Sequence, residues 1–390
     1  MRLRHGDGST VHLSYCTNVH PAESLAGVIG QLDRYAVPVR ERLGTDRLGV
    51  GLWLPRPAAD ALAGDPPAVA RLRRELAVRG LEVVSLNAFP YRDFHAPRVK
   101  RAVYRPDWSE PARLRYTLDL AGILAGLLPP DAERGSLSTL PLGWAPWWDG
   151  PRQAAAAAQL EALGSGLSEL AAREGRPVRV GFEPEPGCVV ERTEQAVRLL
   201  GGLDPAVFGV CLDACHLAVA FEDPAAALAR LEAAGLPVVK LQASCALHAE
   251  DPSDPAVAAA LAEFVEPRFL HQTRERSAPE PLARDDLDEA LGADGLPRRA
   301  PWRVHFHVPL HADPAPPLRS TRPVLDAVLA ALFDRPDAAC DHVEVETYTW
   351  NVLPEGRRAA APAALADGIA AELAWARQAL TGLGLKEPGP

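Results

Sequence analysis

The sequence predicts an α/β fold, a single (β/α)8 barrel over residues 1–390. Short apolar runs rich in β-branched residues alternate with helical patterns along most of the chain. Parallel strands joined by crossover helices explain this alternation, and eight such units close into a barrel. An open doubly wound sheet is the alternative. It is disfavoured because no Gly-rich dinucleotide-binding turn follows the first apolar run.

The strand and helix patterns follow each other in a regular order. The predicted strands are residues 11–16, 48–54, 81–87, 135–140, 178–183, 208–213 and 238–243, with further runs at 303–308 and 342–348. The predicted helices are residues 21–43, 68–79, 111–128, 151–174, one beginning near Thr193, and 224–234, 318–333 and 360–380. There is therefore one apolar run more than a barrel needs.

One polar segment, residues 246–300, interrupts the alternation. It is rich in Pro and charged residues and has no clean periodicity. We expect it to be a long insertion in the loop after the seventh strand, on the face that carries the active site. The run 303–308 is then either an additional strand or the return of this insertion to the barrel.

The composition is typical of a globular chain with a large core. Of 390 residues, 47% are hydrophobic and 24% are charged, and the formal net charge is −10. An acidic surface disfavours nucleic acid as a partner. Because the sequence has no membrane span and no signal-peptide pattern, we expect a cytoplasmic protein that acts on a small polar metabolite. The six cysteines form no C-x-x-C pair, and we expect them to be buried thiols.

Polar side chains occur where the predicted strands end. The carboxyl ends of barrel strands meet on one face, so these side chains are expected to lie together. They are Glu183, Glu185, Asp213, His216, Lys240, Gln242, His305, His307, Glu344 and Glu346. Residues two apart on a strand share a face, and this pairs Glu344 with Glu346 and His305 with His307.

The clustered carboxylates point to a metal ion. Carboxylates buried together raise one another's pKa values or require a cation, and Mn²⁺, Mg²⁺ or Zn²⁺ meets that need. Glu183 and Glu346 follow apolar strands, and Glu is a weak helix cap. Helix capping is therefore a poor alternative explanation for these two residues. Asp213 has an alternative role as the N-cap of the next helix. For His305 and His307 the alternative is a solvated edge strand.

The other histidines carry less weight. His20, beside Asn18, is either a pocket residue or a structural one. Five others are expected at the surface or in loops: His5, His12, His95, His271 and His342. His248 and His311 are either in loops of the site or at the surface.

Four segments of the chain resemble the EboE family of the ebo gene cluster, whose members are called metabolite traffic proteins. The segments are residues 13–20, 87–91, 211–217 and 344–350. More broadly, Glu183, the Asp213-x-x-His216 pair and Glu346 resemble the xylose isomerase-like barrels. That superfamily includes sugar isomerases, epimerases and type IV apurinic endonucleases.

The resemblance implies a metal held by Glu, Asp, His and Glu from four successive strands. Glu183, Asp213 and Glu346 match three of these ligands, but Gln242 stands where the histidine is expected. Either the Gln242 amide oxygen binds the metal, which suits Mn²⁺ or Mg²⁺ better than Zn²⁺, or His307 supplies the imidazole.

The resemblance and the polar cluster are compatible with three candidate functions. The first is a metal-dependent isomerase or epimerase, in which Glu183 or Glu346 moves a proton and His216 assists at oxygen. The second, which the EboE resemblance favours, is a non-catalytic protein that hands secondary-metabolite precursors to other ebo-cluster proteins. The third is an apurinic endonuclease-like nuclease, which the acidic charge disfavours.

Residues near the same strand ends are assigned to substrate binding. They are Asn18, His20, Asn87, Phe89, Tyr91, Glu185, Lys240, His305, Glu344 and Trp350. The aromatic members, together with Trp144, are expected to form a wall of the pocket.

Overall fold

The computed structural model describes residues 1–359 and 361–387. Eight parallel strands form a closed barrel, because each pairs with the next and the eighth pairs with the first. They are β1 (Thr10–Cys16), β2 (Leu48–Trp53), β3 (Leu81–Glu82 and Ser85–Asn87), β4 (Gly135–Thr139), β5 (Val178–Phe182), β6 (Phe208–Asp213), β7 (Val238–Ala243) and β8 (His342–Val345). The predicted (β/α)8 barrel is confirmed.

Helices follow the strands and surround the barrel. The main ones are Leu25–Gln31, Leu32–Ala36 and Val37–Leu43 after β1, Arg56–Asp60 and Pro66–Val78 after β2, Pro111–Leu127 after β3, Gly150–Glu174 after β4, Thr193–Leu200 after β5, Ala214–Val219 and Pro224–Ala233 after β6, Arg322–Phe333 after β7 and Pro362–Gly382 after β8. Asp65, Asp149 and Asp223 cap three of them, and proline in the first turn is tolerated because its missing N–H needs no partner there.

Several boundaries differ from the sequence prediction. β3 is interrupted at Val83 and Val84, and β8 ends at Val345, so Tyr348 lies in a 3-10 turn after the strand. The last helix begins at Pro362, and Ala360, its predicted start, lies outside the described residues.

The insertion after β7 forms a small antiparallel sheet. Its five strands, in spatial order, are Leu282–Arg284, Thr273–Glu275, Trp302–Val304, Leu247–Ala249 and Arg319–Ser320. Two short helices, Pro255–Ala262 and Leu287–Leu291, belong to the same segment. The insertion therefore extends to Ser320 rather than to residue 300. The helix expected from 318 begins at Arg322, because Arg319 and Ser320 pair with the Leu247–Ala249 strand.

Residues 303–308 are the return of the insertion and not a barrel strand. The strand Trp302–Val304 pairs only within the small sheet, and the chain then runs along the carboxyl end of the barrel. There the backbone N–H of Val308 donates to the carbonyl of Cys245 at 2.9 Å, and the Thr349 hydroxyl donates to the carbonyl of His307. The insertion thus lies on the carboxyl-end face.

All six cysteines are buried, and none forms a disulfide within the described residues. Among the helices of residues 1–359 and 361–387, none is long and apolar enough to cross a membrane.

A buried ion pair lies in the barrel interior, beneath the carboxyl ends of the strands. Lys240 on β7 donates from Nζ to Glu344 Oε1 on β8 at 2.7 Å, and neither side chain is exposed. Ser85 on β3 donates to Glu344 Oε2 at 2.5 Å. A Cβ at Gly51 on β2 would lie 1.6 Å from that oxygen. Glu344 therefore connects strands across the barrel and needs the space that a glycine leaves.

The Lys240 charge depends on this carboxylate. Burial lowers the pKa of Lys240, but the charge and hydrogen bond of Glu344, together with the neighbouring Cys211 and Cys16, raise it overall. Lys240 is therefore charged in the folded protein and needs its counter-ion.

We expect Glu344→Gln to lower the free energy of unfolding by about 3–5 kcal/mol, because it leaves the Lys240 ammonium buried and unpaired. Adding Lys240→Met removes that charge and should restore much of the loss. Urea unfolding of the parent, the single variant and the double variant measures both effects. Equal losses in the single and double variants would contradict the ion-pair explanation.

Candidate metal centre

Three carboxylates meet at the carboxyl end of the barrel. Glu183 directly follows β5, Asp213 ends β6, and Glu346 directly follows β8. One oxygen of each lies within 4.8 Å of the other two, and all three side chains are buried. The barrel topology thus assembles groups that are far apart in the sequence.

Asp213 caps a helix and also belongs to the carboxylate cluster. Its Oδ1 accepts from the backbone N–H of His216 at 2.9 Å, which caps the helix Ala214–Val219, and from the Ser244 hydroxyl at 2.8 Å. Its Oδ2 is buried and has no hydrogen-bond partner in the described part of the chain. Capping fixes one oxygen and leaves the other free for the cluster.

Glu346 is held by two amides. Asn18, after β1, and Asn87, at the end of β3, donate from Nδ2 to Glu346 Oε1 at 2.7 and 3.0 Å. The backbone N–H of Phe89 donates to Asn87 Oδ1 at 2.9 Å, which fixes the amide orientation. These contacts, from the ends of β1 and β3, set the position of the Glu346 carboxylate.

The cluster is electrostatically costly without a cation. Burial, followed by the charges of Glu346 and Asp213, raises the pKa of Glu183 well above its usual value. Burial, followed by the charge of Asp213, raises the pKa of Glu346 to about 8. Glu183 Oε2 is also buried without a partner among residues 1–359 and 361–387. An added cation would stabilise the ionised carboxylates.

His307 brings an imidazole from the insertion. Its Nδ1 lies 2.7 Å from the carbonyl oxygen of Glu346, which can only accept, so Nδ1 carries the proton and Nε2 carries a lone pair. His307 Nε2 lies 3.9 Å from Asp213 Oδ2 and has no hydrogen-bond partner in the described structure. His305 and His307 are both buried, so the alternative of a solvated edge strand is wrong.

Gln242 is also buried beside the cluster. It lies on β7, in register with Asp213 on β6 and with Glu344 on β8. Neither Oε1 nor Nε2 has a hydrogen-bond partner among the described residues. Gln242 and His307, the two candidates for the fourth ligand, therefore each have an atom that could bind a metal and that has no hydrogen-bond partner among the described residues.

A cavity opens at this cluster, with about 60 Å³ of space for the centres of water molecules. At about 10–15 Å³ per water, this space fits a small ligand. Nine of the predicted site residues line it: Asn18, Asn87, Phe89, Glu183, Glu185, His216, His305, His307 and Glu346. Several lining residues were missed by the sequence analysis: Phe94, Lys100, Tyr104, Phe269 and Tyr348.

Five predicted substrate residues do not line this cavity. Lys240 and Glu344 form the ion pair beneath it. His20 stacks on Tyr35 with ring centroids 4.2 Å apart. Tyr91 packs against Tyr116, and Trp350 donates from Nε1 to Glu372 Oε2 at 2.9 Å. The contacts of these side chains therefore lie outside the cavity lining. Trp144, expected in the wall, likewise lies behind it and stacks on Tyr104.

The prediction of surface or loop positions was wrong for His12 and His342, which lie in β1 and β8, whereas His5 and His271 do lie in loops. His5, His12, His271 and His342 are buried, and only His95 is partly exposed. His271 lies under the returning segment, with Nδ1 2.9 Å from the carbonyl oxygen of His305. A lone histidine without periodic neighbours gives no sequence signal for burial, because its contacts come from distant segments.

Tyr104 and Gln272 are further polar residues that sequence reasoning missed. The Tyr104 hydroxyl donates to Glu185 Oε1 at 2.7 Å, and Gln272 Nε2 donates to the Tyr104 oxygen at 2.8 Å. Tyr104 lies in the long loop after β3 and Gln272 in the insertion, neither of which has a regular pattern. The barrel and its insertion define a site of clustered carboxylates and imidazoles at the strand ends.

The comparison with protein families agrees with this architecture. Residues 48–256 match the family model described as xylose isomerase-like TIM barrel. Because the match covers more than half of the chain, the chain belongs to that family. No curated protein matches the chain.

Solved structures share the fold at low identity. The structure titled IOLI protein with a binding zinc atom has 12% identity and a TM-score of 0.50, and the match covers 95% of this chain and 99% of that chain. The L-ribulose 3-epimerase structure has 12% identity, a TM-score of 0.49 and coverage of 96% of both chains. The probable 3-DHS dehydratase AsbF from Bacillus anthracis has 14% identity, a TM-score of 0.48 and coverage of 94% and 98%. The IOLI match shows the fold alone.

The buried Glu372 side chain, which accepts a hydrogen bond from Trp350, predicts that the stability of the protein depends on pH. Burial raises the pKa of Glu372 to about 7, although bonds from Thr347, Trp350 and Leu310 oppose the shift. Between its unfolded pKa of about 4.5 and about 7, folded Glu372 keeps a proton that the unfolded chain releases. Its contribution to stability is therefore full below about 4.5 and is lost as the pH rises to about 7.

We expect the free energy of unfolding of the parent, relative to Glu372→Gln, to fall by about 3 kcal/mol between pH 4.5 and 7. The glutamine does not titrate, so the variant serves as the baseline. Urea unfolding of both proteins in chelator, at several pH values, measures the difference. A difference that stays constant over this range would show that Glu372 keeps an ordinary pKa.

Proposed function

We propose that this chain is a divalent-metal-dependent enzyme of the isomerase or epimerase kind, acting on a small polar, polyhydroxylated metabolite. The observation that carries the proposal is a set of buried, unpartnered ligand atoms at the cavity: Glu183 Oε2, Asp213 Oδ2 and His307 Nε2. Buried polar atoms without a hydrogen-bond partner are rare in folded proteins unless water or an ion satisfies them.

The residues present fit a divalent ion. Glu183, Asp213 and Glu346 would hold it, and His307 is our choice for the fourth ligand. Carboxylate oxygen with imidazole suits Mn²⁺ or Zn²⁺, and Mg²⁺ is favoured if Gln242 binds instead. When bound, the ion would polarise substrate oxygens and acidify the neighbouring C–H bond. The IOLI structure of the same fold contains zinc.

The surrounding side chains supply proton transfer and orientation. Glu183 and Glu346 line the cavity, so either carboxylate could take up and return a proton at the substrate carbon, with a pKa set by the bound ion. His216 Nδ1 lies 3.0 Å from the carbonyl oxygen of Pro184, so its Nε2 carries a lone pair. In this tautomer Nε2 of His216 can accept a hydrogen bond from the substrate but cannot donate a proton to it.

The second candidate follows the EboE resemblance: a non-catalytic protein that binds a precursor and passes it to other ebo-cluster proteins. The observation in its favour is Gln242, an amide at the position where the resemblance implies a histidine ligand. The acidic net charge of −10 still disfavours the nuclease.

We expect protein purified without chelator or His-tag to contain a transition metal or magnesium by elemental analysis, and to turn over at least one substrate in a panel of ketoses and related polyols. Glu346→Gln should weaken metal affinity by about 10–100-fold or more. Glu372→Gln, a buried acid outside the cavity, is the matched control and should keep the parent affinity. Bound metal without turnover across the panel would favour the handover protein.

The fourth ligand is tested separately. We expect His307→Ala to weaken metal binding by about 10–100-fold, because it removes the lone pair that faces Asp213. Gln242→Ala should bind within a few-fold of the parent. Titration of both stripped variants with Mn²⁺ and Zn²⁺ measures the affinities. If metal affinity is lost in Gln242→Ala but not in His307→Ala, Gln242 is the fourth ligand and His307 is excluded.

A further inference from the structure

Two chemically different groups of side chains line the cavity. The carboxylates, imidazoles and amides come from the ends of the barrel strands and from the returning segment of the insertion. The apolar lining comes mainly from two segments outside the barrel, the loop after β3 and the insertion. It includes Phe89, Phe94, Val99, Val103, Phe269 and Leu270. The insertion therefore changes not only the donor set of the site but also its polarity.

Three aromatic rings of the cavity lining pack on one another. The ring centroids of Phe94 and Phe269 are 5.0 Å apart, and Tyr348 lies 5.5 Å from the first and 4.9 Å from the second. These separations are typical of favourable aromatic pairs. The rings come from the loop after β3, from the insertion and from the turn after β8. We call this surface the aromatic wall.

A ligand with a hydroxyl on every carbon does not match the apolar lining. The side chains of Phe94 and Phe269 have no polar atom, so a hydroxyl pressed against them loses its hydrogen bonds to water and gains none. An apolar ring at the same place loses only contact with water, which is favourable, and it gains edge and face contacts with the aromatic wall. The part of the ligand that lies there is therefore expected to be a ring without hydroxyls.

Lys100 is not free to bind an anionic ligand. It is the only lysine or arginine that lines this cavity in the described part of the chain. Its Nζ donates to the carbonyls of Glu266 and Phe269 at 3.0 and 2.8 Å and to Asp286 Oδ2 at 2.5 Å. An ammonium group has three donors, so all are in use. Lys100 thus holds the loop after β3 against the insertion.

The charge of the site also disfavours an anionic ligand. Glu183, Glu185 and Glu346 line the cavity, and Asp213 lies beside them. They carry four formal negative charges, of which one divalent ion would balance two. A phosphate or carboxylate on the ligand would add charge of the same sign in a buried site, where repulsion is weakly screened. An uncharged ligand avoids this cost.

We propose that the cavity binds an uncharged ligand with two different ends, an oxygen-bearing end at the carboxylates and a flat apolar ring at the aromatic wall. The ligand class is a polyol that carries an aryl or similar unsaturated ring, and sugar phosphates are excluded. This inference deepens the proposed function and rests on it for the oxygen-bearing end alone. The ring contacts do not involve a metal.

A set of probes that share one vicinal diol tests the ligand class on the parent protein. They are 1-phenyl-1,2-ethanediol, glycerol and glycerol 3-phosphate. We expect the phenyl diol to bind about 10–100-fold tighter than glycerol, because the protein buries its ring. Glycerol 3-phosphate should bind no tighter than glycerol. Calorimetric titration of Mn²⁺-loaded and of stripped protein measures the affinities, and the order should be the same in both.

Variants of the aromatic wall test where the ring lies. Phe269→Ala should bind the phenyl diol about tenfold weaker and leave the affinity for glycerol and Mn²⁺ at the parent level. The milder Phe269→Leu, which keeps most of the buried volume, should lie between them. Phe264→Ala is the matched control. Phe264 is a buried phenylalanine of the same insertion that packs on Phe306, with ring centroids 5.0 Å apart, and it does not line the cavity.

The outcomes separate this inference from the proposed function. Equal affinity for the phenyl diol and glycerol, or tighter binding of glycerol 3-phosphate, would overturn the inference, while Mn²⁺ uptake would leave the proposed metal enzyme standing. A preference for the phenyl diol in protein that takes up no metal would support the inference and contradict the proposed function. No binding of the phenyl diol, or an equal loss in Phe264→Ala and Phe269→Ala, would also overturn the inference.

Discussion

The burial of like-charged carboxylates in one end of a barrel is the constraint on which the site depends. An ionised carboxylate out of water is expensive unless a counter-charge lies close to it. Deeper in the barrel, the Lys240 ammonium supplies that charge to Glu344. At the cavity, Glu183, Asp213 and Glu346 form no ion pair with a lysine among the described residues, and the unpartnered oxygens of Glu183 and Asp213 are what a cation would satisfy.

Neutral side chains position these carboxylates without cancelling their charge. Asn18 and Asn87 hold one oxygen of Glu346, while a helix cap and Ser244 hold one oxygen of Asp213. In Asp213 the second oxygen is left without a partner in the described structure. Outer contacts of this kind typically fix ligand orientation and tune affinity for a metal. The insertion adds imidazoles from outside the strand–helix repeat, and so changes the donor set that the barrel strands alone would provide.

Much of the fold was predictable because barrel strands have a strong local signal. The runs at 208–213 and 238–243 match β6 and β7 in full, since fully buried parallel strands read as continuous apolar segments. The boundaries of β3 and β8 and the end of the insertion were not predictable. The strand Arg319–Ser320 is defined by its pairing with residues about 70 positions earlier, and no local pattern records such a partner.

For the site, the sequence by itself determined which strand ends carry Glu183, Asp213 and Glu346, because a barrel brings every strand's carboxyl end to one face. Only the tertiary structure decided the depth and direction of each side chain. It placed Glu344 one level below Glu346, against Lys240, although both face inward from the same stretch of chain. It also placed His305 opposite His216, since the path of an irregular insertion is set by contacts with the barrel and not by periodicity.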